Sequence, residues 1–366
     1  MSARDDKSPL PSKTRLARLP RAPLITRRRL LASGALGLGA LALGAACTRP
    51  APPLPTGERA AEARAPERLR FVSWSQPRAE QANLFVAQDL GYYRDHGIEF
   101  EYVPGNGSGD ALKQLLAGNA DVGFVGPEAI YFTVDQGGDA VGIYNIYPQS
   151  IFTIVSWPEA GIRASADLRG KTIGVLSQAS GSRYVVLTLL ALAGLKEADV
   201  TLVATGPNAA PFLEHKVDAW SSLITTAADL QEQTGQTFNQ LLARDHLNLP
   251  TDVFATTRDN FNRRGDLLIR FLRAVRQGTE YMIAHPAEAA EIGVQHALDI
   301  KEPAKAEKVI RAFGEASKPD ATGTQDLGTF NLTVLREGAR LYQQAGLVKT
   351  RVEVERYFSN DLVARV

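Results

Sequence analysis

The sequence predicts an α/β protein built of two similar lobes, with a helical C-terminal part. Three observations carry this. Short β-rich runs alternate with helical patterns over residues 69–155, which calls for βαβ units around a mostly parallel sheet. The same alternation restarts at Lys171 and continues to Leu223. Beyond Thr257 the pattern is almost entirely helical.

In the first series LRFVSW (69–74) reads as a strand, and RAEQANLFVAQDLGYYRDHG (78–97) as a helix ended by Gly97. IEFEYV (98–103) is a strand, SGDALKQLLAGN (108–119) a helix, ADVGFV (120–125) a strand and GPEAIYFTVDQGG (126–138) a helix. DAVGIYNIY (139–147) and IFTIVSW (151–157) close the series. In the second, KTIGVL (171–176), DVTLVA (199–204) and VDAWSSL (217–223) are strands around the helices GSRYVVLTLLALAGL (181–195) and NAAPFLEHK (208–216). Leu116-x-x-x-Ala120-Asp121 and Leu213-x-x-x-Val217-Asp218 occupy the same place in the two series, a weak internal repeat. TDVFATT (251–257) returns as a strand. Residues 261–284 then carry Leu267, Leu268, Phe271, Leu272, Val275 and Met282 at helical spacing. Pro286 restarts a helix over 288–297, and 335–347 is another. The expected organisation is lobe 1 from 68–160 plus 251–366 and lobe 2 from 161–250, joined by two adjacent crossings that make a hinge.

Residues 1–46 read as an export signal. Nine basic residues stand against two acidic ones, a net +7, before an uncharged 17-residue apolar tract, residues 30–46. That tract holds four glycines and falls short of the roughly 20 residues of a membrane span. A basic segment, an apolar segment and small residues describe a secretory signal. Thr26-Arg27-Arg28-Arg29-Leu30-Leu31 resembles the twin-arginine signal. Leu43-Gly44-Ala45-Ala46-Cys47 looks like a lipobox, with its bulky residue one place early. Cys47, the sole cysteine, is then the lipidation site, and 47–67 a Pro/Ala-rich tether to the membrane.

The whole chain is +1, so the remainder carries −6, which argues against nucleic-acid binding. The five histidines show no close-spaced ligand pair, so no metal site is read. No GxSxG elbow, P-loop lysine or nucleophile–histidine motif appears, and GNGSGD (105–110) is only a partial glycine pattern. No cofactor and no catalytic residue are assigned.

Four segments, FVAQDLGYYRDHGIEFEYV, ALKQLLAGNADVGFVGPEA, DLRGKTIGV and FLEHKVDAW, resemble the solute-binding proteins of ABC importers in the nitrate, sulfonate and thiamine-pyrimidine branch. The resemblance covers most of residues 69–222. It implies a periplasmic-binding-protein-like Venus flytrap, a monomer that closes on a small solute and presents it to a permease and its ATPase. It also implies an enzyme alternative, since eukaryotic relatives synthesise the thiamine pyrimidine with a cysteine-rich motif. One cysteine cannot supply that motif, so the reading is a binding protein and not an enzyme.

Ligands of open α/β sheets bind at the carboxyl ends of strands, so the loops after each strand are the candidates. Trp74 and Gln76 follow the first strand; the indole either stacks on a planar ligand or caps the core. Glu128 follows Gly126-Pro127, where its carboxylate either favours the helix start or accepts hydrogen bonds from a heterocycle. Tyr144 and Tyr147 point to opposite faces, and Tyr147, nearer the loop, is placed on the cleft. In LSQASGSRY (176–184) the serines Ser177, Ser180 and Ser182 surround a helix start able to bind an oxygen, with Tyr184 beside them. Trp220 is weighed as ligand contact or core. Tyr131 adds a further aromatic. Aromatic faces with one carboxylate favour a flat, vitamin-type heteroaromatic, riboflavin ahead of a thiamine pyrimidine, over the small sulfonates and nitrate that call for cationic groups.

Overall fold

A computed structural model describes residues 65–318 and 326–366. The segments expected to be an export signal, a lipobox with Cys47 and a tether fall, up to residue 64, outside the described residues. Ten strands are described: β1 (Glu67–Ser73), β2 (Ile98–Val103), β3 (Val122–Val125), β4 (Ala140–Tyr147), β5 (Phe152–Ser156), β6 (Thr172–Val175), β7 (Thr201–Ala204), β8 (Ala219–Leu223), β9 (Asn239–Leu242) and β10 (Asp252–Thr257). They form two five-stranded sheets, β2-β1-β3-β10-β4 and β7-β6-β8-β5-β9.

The two sheets have the same plan. In the first, β2, β1 and β3 run parallel, and β10 lies antiparallel between β3 and β4. In the second, β7, β6 and β8 run parallel, and β5 lies antiparallel between β8 and β9. Each antiparallel strand belongs to the segment that has just crossed from the other sheet. The first crossing therefore spans 148–151, earlier than the expected Ala160. Chain order attached IFTIVSW to the series it follows, whereas its pairing with β8 and β9 places it in the second sheet. The second crossing spans 243–251, between β9 and β10. The short edge strand β9 was not anticipated: it has four residues, of which only Leu241 is buried, too few for an alternation to register.

The crossings run side by side and are hydrogen-bonded to each other. Ser150 N donates to Asn248 Oδ1 at 2.8 Å, Thr251 N donates to Tyr147 O at 2.9 Å and Thr251 Oγ1 donates to Gln149 O at 2.8 Å. Paired backbone of this kind is the anatomy of a two-segment hinge.

The first sheet is buried on both faces, as parallel strands require. Along β1, Leu69 and Phe71 join one core with Phe254, Phe271 and Leu272, while Val72 joins another with Leu112, Leu115 and Ile130. Phe71 is fully buried, its ring 5.3 Å from Phe254 and 5.9 Å from Phe271. The long helix Gly265–Ala284 lies on this face with Phe271, Leu272, Val275 and Met282 buried, the stripe the sequence spells out. Gly278 allows it to press on the helix Ala82–Asp89: a Cβ there would stand 2.2 Å from Asn83 O.

The C-terminal part is less simply assigned than expected. The helix Leu332–Gln344 packs against both Pro127–Asp135 of the first sheet's layer and Gly181–Leu192 of the second. Tyr131 hydroxyl donates to Leu335 O at 2.9 Å, and Tyr342 hydroxyl to Tyr184 O at 3.2 Å. Residues 251–366 therefore do not serve lobe 1 alone. Among the described residues no helix is long and apolar enough to cross a membrane.

Candidate functional site

The internal repeat in the sequence corresponds to a shared structural device. Asp121 Oδ2 accepts from Arg70 N at 2.8 Å while Asp121 N donates to Arg70 O at 2.8 Å. Asp218 Oδ2 accepts from Thr172 N at 2.7 Å while Asp218 N donates to Thr172 O at 2.8 Å. Each aspartate fastens the start of one strand to its parallel neighbour, which fixes the register and so the level at which the strands' carboxyl ends emerge.

At that end of the first sheet three neighbouring strands deliver side chains. Ser73 pairs with Phe124, and Val253 pairs with Val125. The next residues, Trp74 after β1, Gly126 after β3 and Asp252 at the start of β10, therefore emerge along one edge. Because β10 is antiparallel, its beginning lies where the parallel strands end.

Glu128 sits in the first turn of Pro127–Asp135 and is only 8% exposed. Its side chain folds back over Gly126, where a Cβ would meet Oε1 at 2.1 Å, so only glycine leaves it room. Oε1 is buried without a hydrogen-bond partner. Burial pushes the Glu128 carboxyl up to about 7, opposed by a hydrogen bond to its own backbone. Asp252 is 6% exposed, and burial, then Glu128 and Glu80, hold it well above the usual carboxylate range. The Trp74 indole N–H approaches closely enough to favour its charged form but completes no hydrogen bond. Glu80 is likewise raised by burial, although Arg78 Nε bonds it at 3.0 Å. No group of residues able to hold a metal ion is found among the described residues.

The facing wall comes from the second sheet. Its serines largely satisfy one another: Ser180 Oγ donates to Ser177 O at 2.7 Å and accepts from Ser177 N at 3.1 Å. Ser182 Oγ lies 2.9 Å from Ser180 Oγ and accepts from Leu176 N at 2.9 Å. They shape the turn into the helix Gly181–Leu192 rather than standing open. The walls meet here. A Cβ on Gly107 (φ +94°) would lie 3.0 Å from Ala179 O, and one on Gly181 3.9 Å from Glu128 Oε1. Across the same seam the rings of Phe132 and Tyr184 are 4.9 Å apart.

Of the residues picked from sequence, Glu128, Trp74, Ser177, Ser180, Ser182 and Tyr184 lie along this seam or at its rim. Tyr184 is 8% exposed and its phenol is pushed up to about 12, by burial and then by Glu128. Two others are placed elsewhere. Tyr147 is fully buried, its hydroxyl donating to Glu80 O at 2.8 Å and its ring against Phe313, so it supports the site from the core. Trp220 packs with Val155, Phe212 and Phe238 in the second sheet's core, because the strand turns it away from the seam. Gln76 is exposed; Gln81 is the buried glutamine of that loop, donating to Ser73 Oγ at 3.0 Å and accepting from Tyr102 hydroxyl at 2.8 Å. Tyr131 is spent on Leu335. Asp252 has no signal in the loops that follow strands, because it opens an antiparallel strand.

An open groove of about 440 Å³ runs along the flank of the seam, lined by Lys113, Phe132, Gln136, Ala179, Arg183 and Tyr184. Glu128 immediately precedes the groove-lining Ala129 but is not part of its wall.

The sequence model of the family described as NMT1/THI5 like matches residues 78–289. The riboflavin-binding protein RibY of Chloroflexus aurantiacus is 27% identical over 346 residues, 90% of this chain and 96% of the relative. The yeast (Saccharomyces cerevisiae) 4-amino-5-hydroxymethyl-2-methylpyrimidine phosphate synthase THI11 is 23% identical over 61% of this chain and 69% of its own. Among solved structures, the alkanesulfonate-binding protein SsuA of Xanthomonas axonopodis pv. citri, bound to MOPS, superposes with a TM-score of 0.64 at 22% identity, covering 81% of this chain and 99% of that one.

Proposed function

The chain belongs to the NMT1/THI5-like family, and from that premise we propose that it is the extracytoplasmic solute-binding component of an ABC importer. It captures a small flat heteroaromatic solute between the two sheets and passes it to a permease and its ATPase. Riboflavin is favoured and a thiamine pyrimidine precursor comes next. The observation that carries this reading is Glu128: a nine-tenths buried carboxyl with an unpartnered oxygen, facing the second wall beside Tyr184 and near the Trp74 indole. A buried acceptor left unpaired is costly, and a ligand N–H relieves that cost. A sulfonate, which offers only acceptors and negative charge, does not. The likeness to a riboflavin-binding protein over nearly the whole chain supports the same choice. On this reading Cys47 carries the lipid that keeps the protein at the membrane.

A fluorescence titration of riboflavin into protein beginning at Thr48 tests the function. Saturable one-to-one quenching is expected. Absence of quenching, with thermal stabilisation by an alkanesulfonate instead, overturns the heteroaromatic reading and returns the chain to the sulfonate-binding alternative.

A further inference from the structure

The two buried carboxyls at the edge of the first sheet have complementary surroundings. Glu128 and Asp252 come from adjacent strand ends, Gly126–Glu128 after β3 and the first residue of β10. Both are more than nine-tenths buried. Neither carries an ion pair to a basic side chain among the described residues; the nearby cation, Arg78, is engaged by Glu80 and by Asp299 at 3.3 Å. Two like charges buried near each other without a cation between them are disfavoured, so one member keeps its proton. One member is then an acceptor and the other an O–H donor.

We propose that Glu128 and Asp252 form a two-point subsite that reads a cis-amide or amidine edge, a ring N–H or amino group beside a C=O or ring nitrogen, on a flat heterocycle. The ionised Glu128 accepts from the ligand's N–H, and the protonated Asp252 donates to its neighbouring oxygen or nitrogen. Trp74, whose indole N–H is also unpartnered, provides a flank. This inference rests on the reading of the seam as a heteroaromatic site and specifies the chemistry that site selects. Sulfonates and carboxylates, having no donor for Glu128, are refused.

The assignment of roles follows the surroundings. Glu128 faces Tyr131 on its own helix, Tyr184 and the start of Gly181–Leu192, and Tyr342, with Asp252 as its charged neighbour. Asp252 faces Glu128, the Arg78-bound Glu80, Tyr147 and the Trp74 indole. Burial, then Glu128 and Glu80, hold Asp252 well above the usual carboxylate range, so in the proposed subsite it is the member that carries the proton.

The test measures affinity for riboflavin, its 3-methyl derivative, an aminopyrimidine and pentanesulfonate between pH 5 and 9. The wild-type protein, Glu128→Gln and Asp252→Asn are compared, with thermal melts to confirm folding. Riboflavin affinity is expected to pass through a maximum, falling as Glu128 gains a proton and again as Asp252 loses one. Asp252→Asn, a permanent donor, is expected to bind within about threefold of wild type at its optimum and to lose only the alkaline limb. Glu128→Gln, and the 3-methyl ligand on wild-type protein, are expected to weaken binding about ten- to hundredfold. Riboflavin binding that neither the variants nor methylation alters overturns the two-point subsite and leaves the heteroaromatic reading standing. Binding of pentanesulfonate without binding of riboflavin or the aminopyrimidine overturns both, as does binding of none of these three.

Discussion

The two sheets share strand order, strand sense and the aspartate that fastens a strand start, yet they are unequal. The first is sandwiched between aromatic and aliphatic cores and offers, at its edge, the unpartnered carboxyl oxygen of Glu128. The second leaves β7 largely exposed, with Val203 at 37%, and offers Ser180 and Ser182, whose hydroxyls are already bonded within their own turn. A common plan thus fixes where a ligand can sit, while side-chain chemistry is unevenly divided between the walls. On the proposed reading the first sheet selects the ligand and the second closes over it.

The largest expected contrast is in stability. Phe71→Ala in the first sheet should cost about 3–5 kcal/mol in chemical denaturation, against about 0.5 kcal/mol or less for Val203→Ala on β7. Comparable losses at both positions would remove the difference in packing.

A second contrast concerns pH. Burial raises Glu128 from 4.5 to about 7, so the folded protein keeps a proton that the unfolded chain has lost between those values. Its contribution is full below about 4.5 and is lost as pH rises through about 7, about 3 kcal/mol in all. Glu128→Gln should flatten the pH dependence of unliganded stability in this window; an unchanged slope would show that the carboxyl is not buried as described.

The paired aspartates sharpen the comparison further. Asp121 is 6% exposed and also holds Arg264 Nη1 at 2.6 Å, whereas Asp218 is exposed. Asp121→Ala should therefore cost about 2–3 kcal/mol and Asp218→Ala within about 1 kcal/mol. Equal costs would mean that the fastening bond matters and its burial does not.

A small effect on stability should accompany a clear effect on binding. An added methyl at Gly126 meets the flexible end of Glu128 and not the backbone. Gly126→Ala should displace the carboxyl and weaken the solute about tenfold, with a melting temperature shifted by only a few degrees.

Much of this was legible in the chain. Nine of the ten described strands are legible from alternation and turn residues; eight of them hold buried residues, and the exposed β7 is marked by its branched Thr201 and Val203. The repeat at Asp121 and Asp218 was visible as spacing, though its meaning as a strand fastener needed the register. Glu128 stood out through Gly126-Pro127 before it. Other features were hidden for physical reasons. Which sheet a strand joins is decided by partners remote in sequence, so β5 was assigned to the wrong side of the first crossing. An antiparallel strand presents its beginning where its neighbours present their ends, so Asp252 lay outside the loops inspected. Tyr147 and Trp220 carry polar atoms that suit a cleft equally well; only packing against Phe313 and Phe238 places them in the core.

The division of labour between the walls is tested most directly by titrating one solute, riboflavin, into Glu128→Gln and Ser182→Ala side by side with wild type. Loss of affinity of about tenfold or more at Glu128, with a change of less than about threefold at Ser182, is the expected result. Affinity that falls at Ser182 and holds at Glu128 would contradict it, and would place selection of the solute on the second sheet.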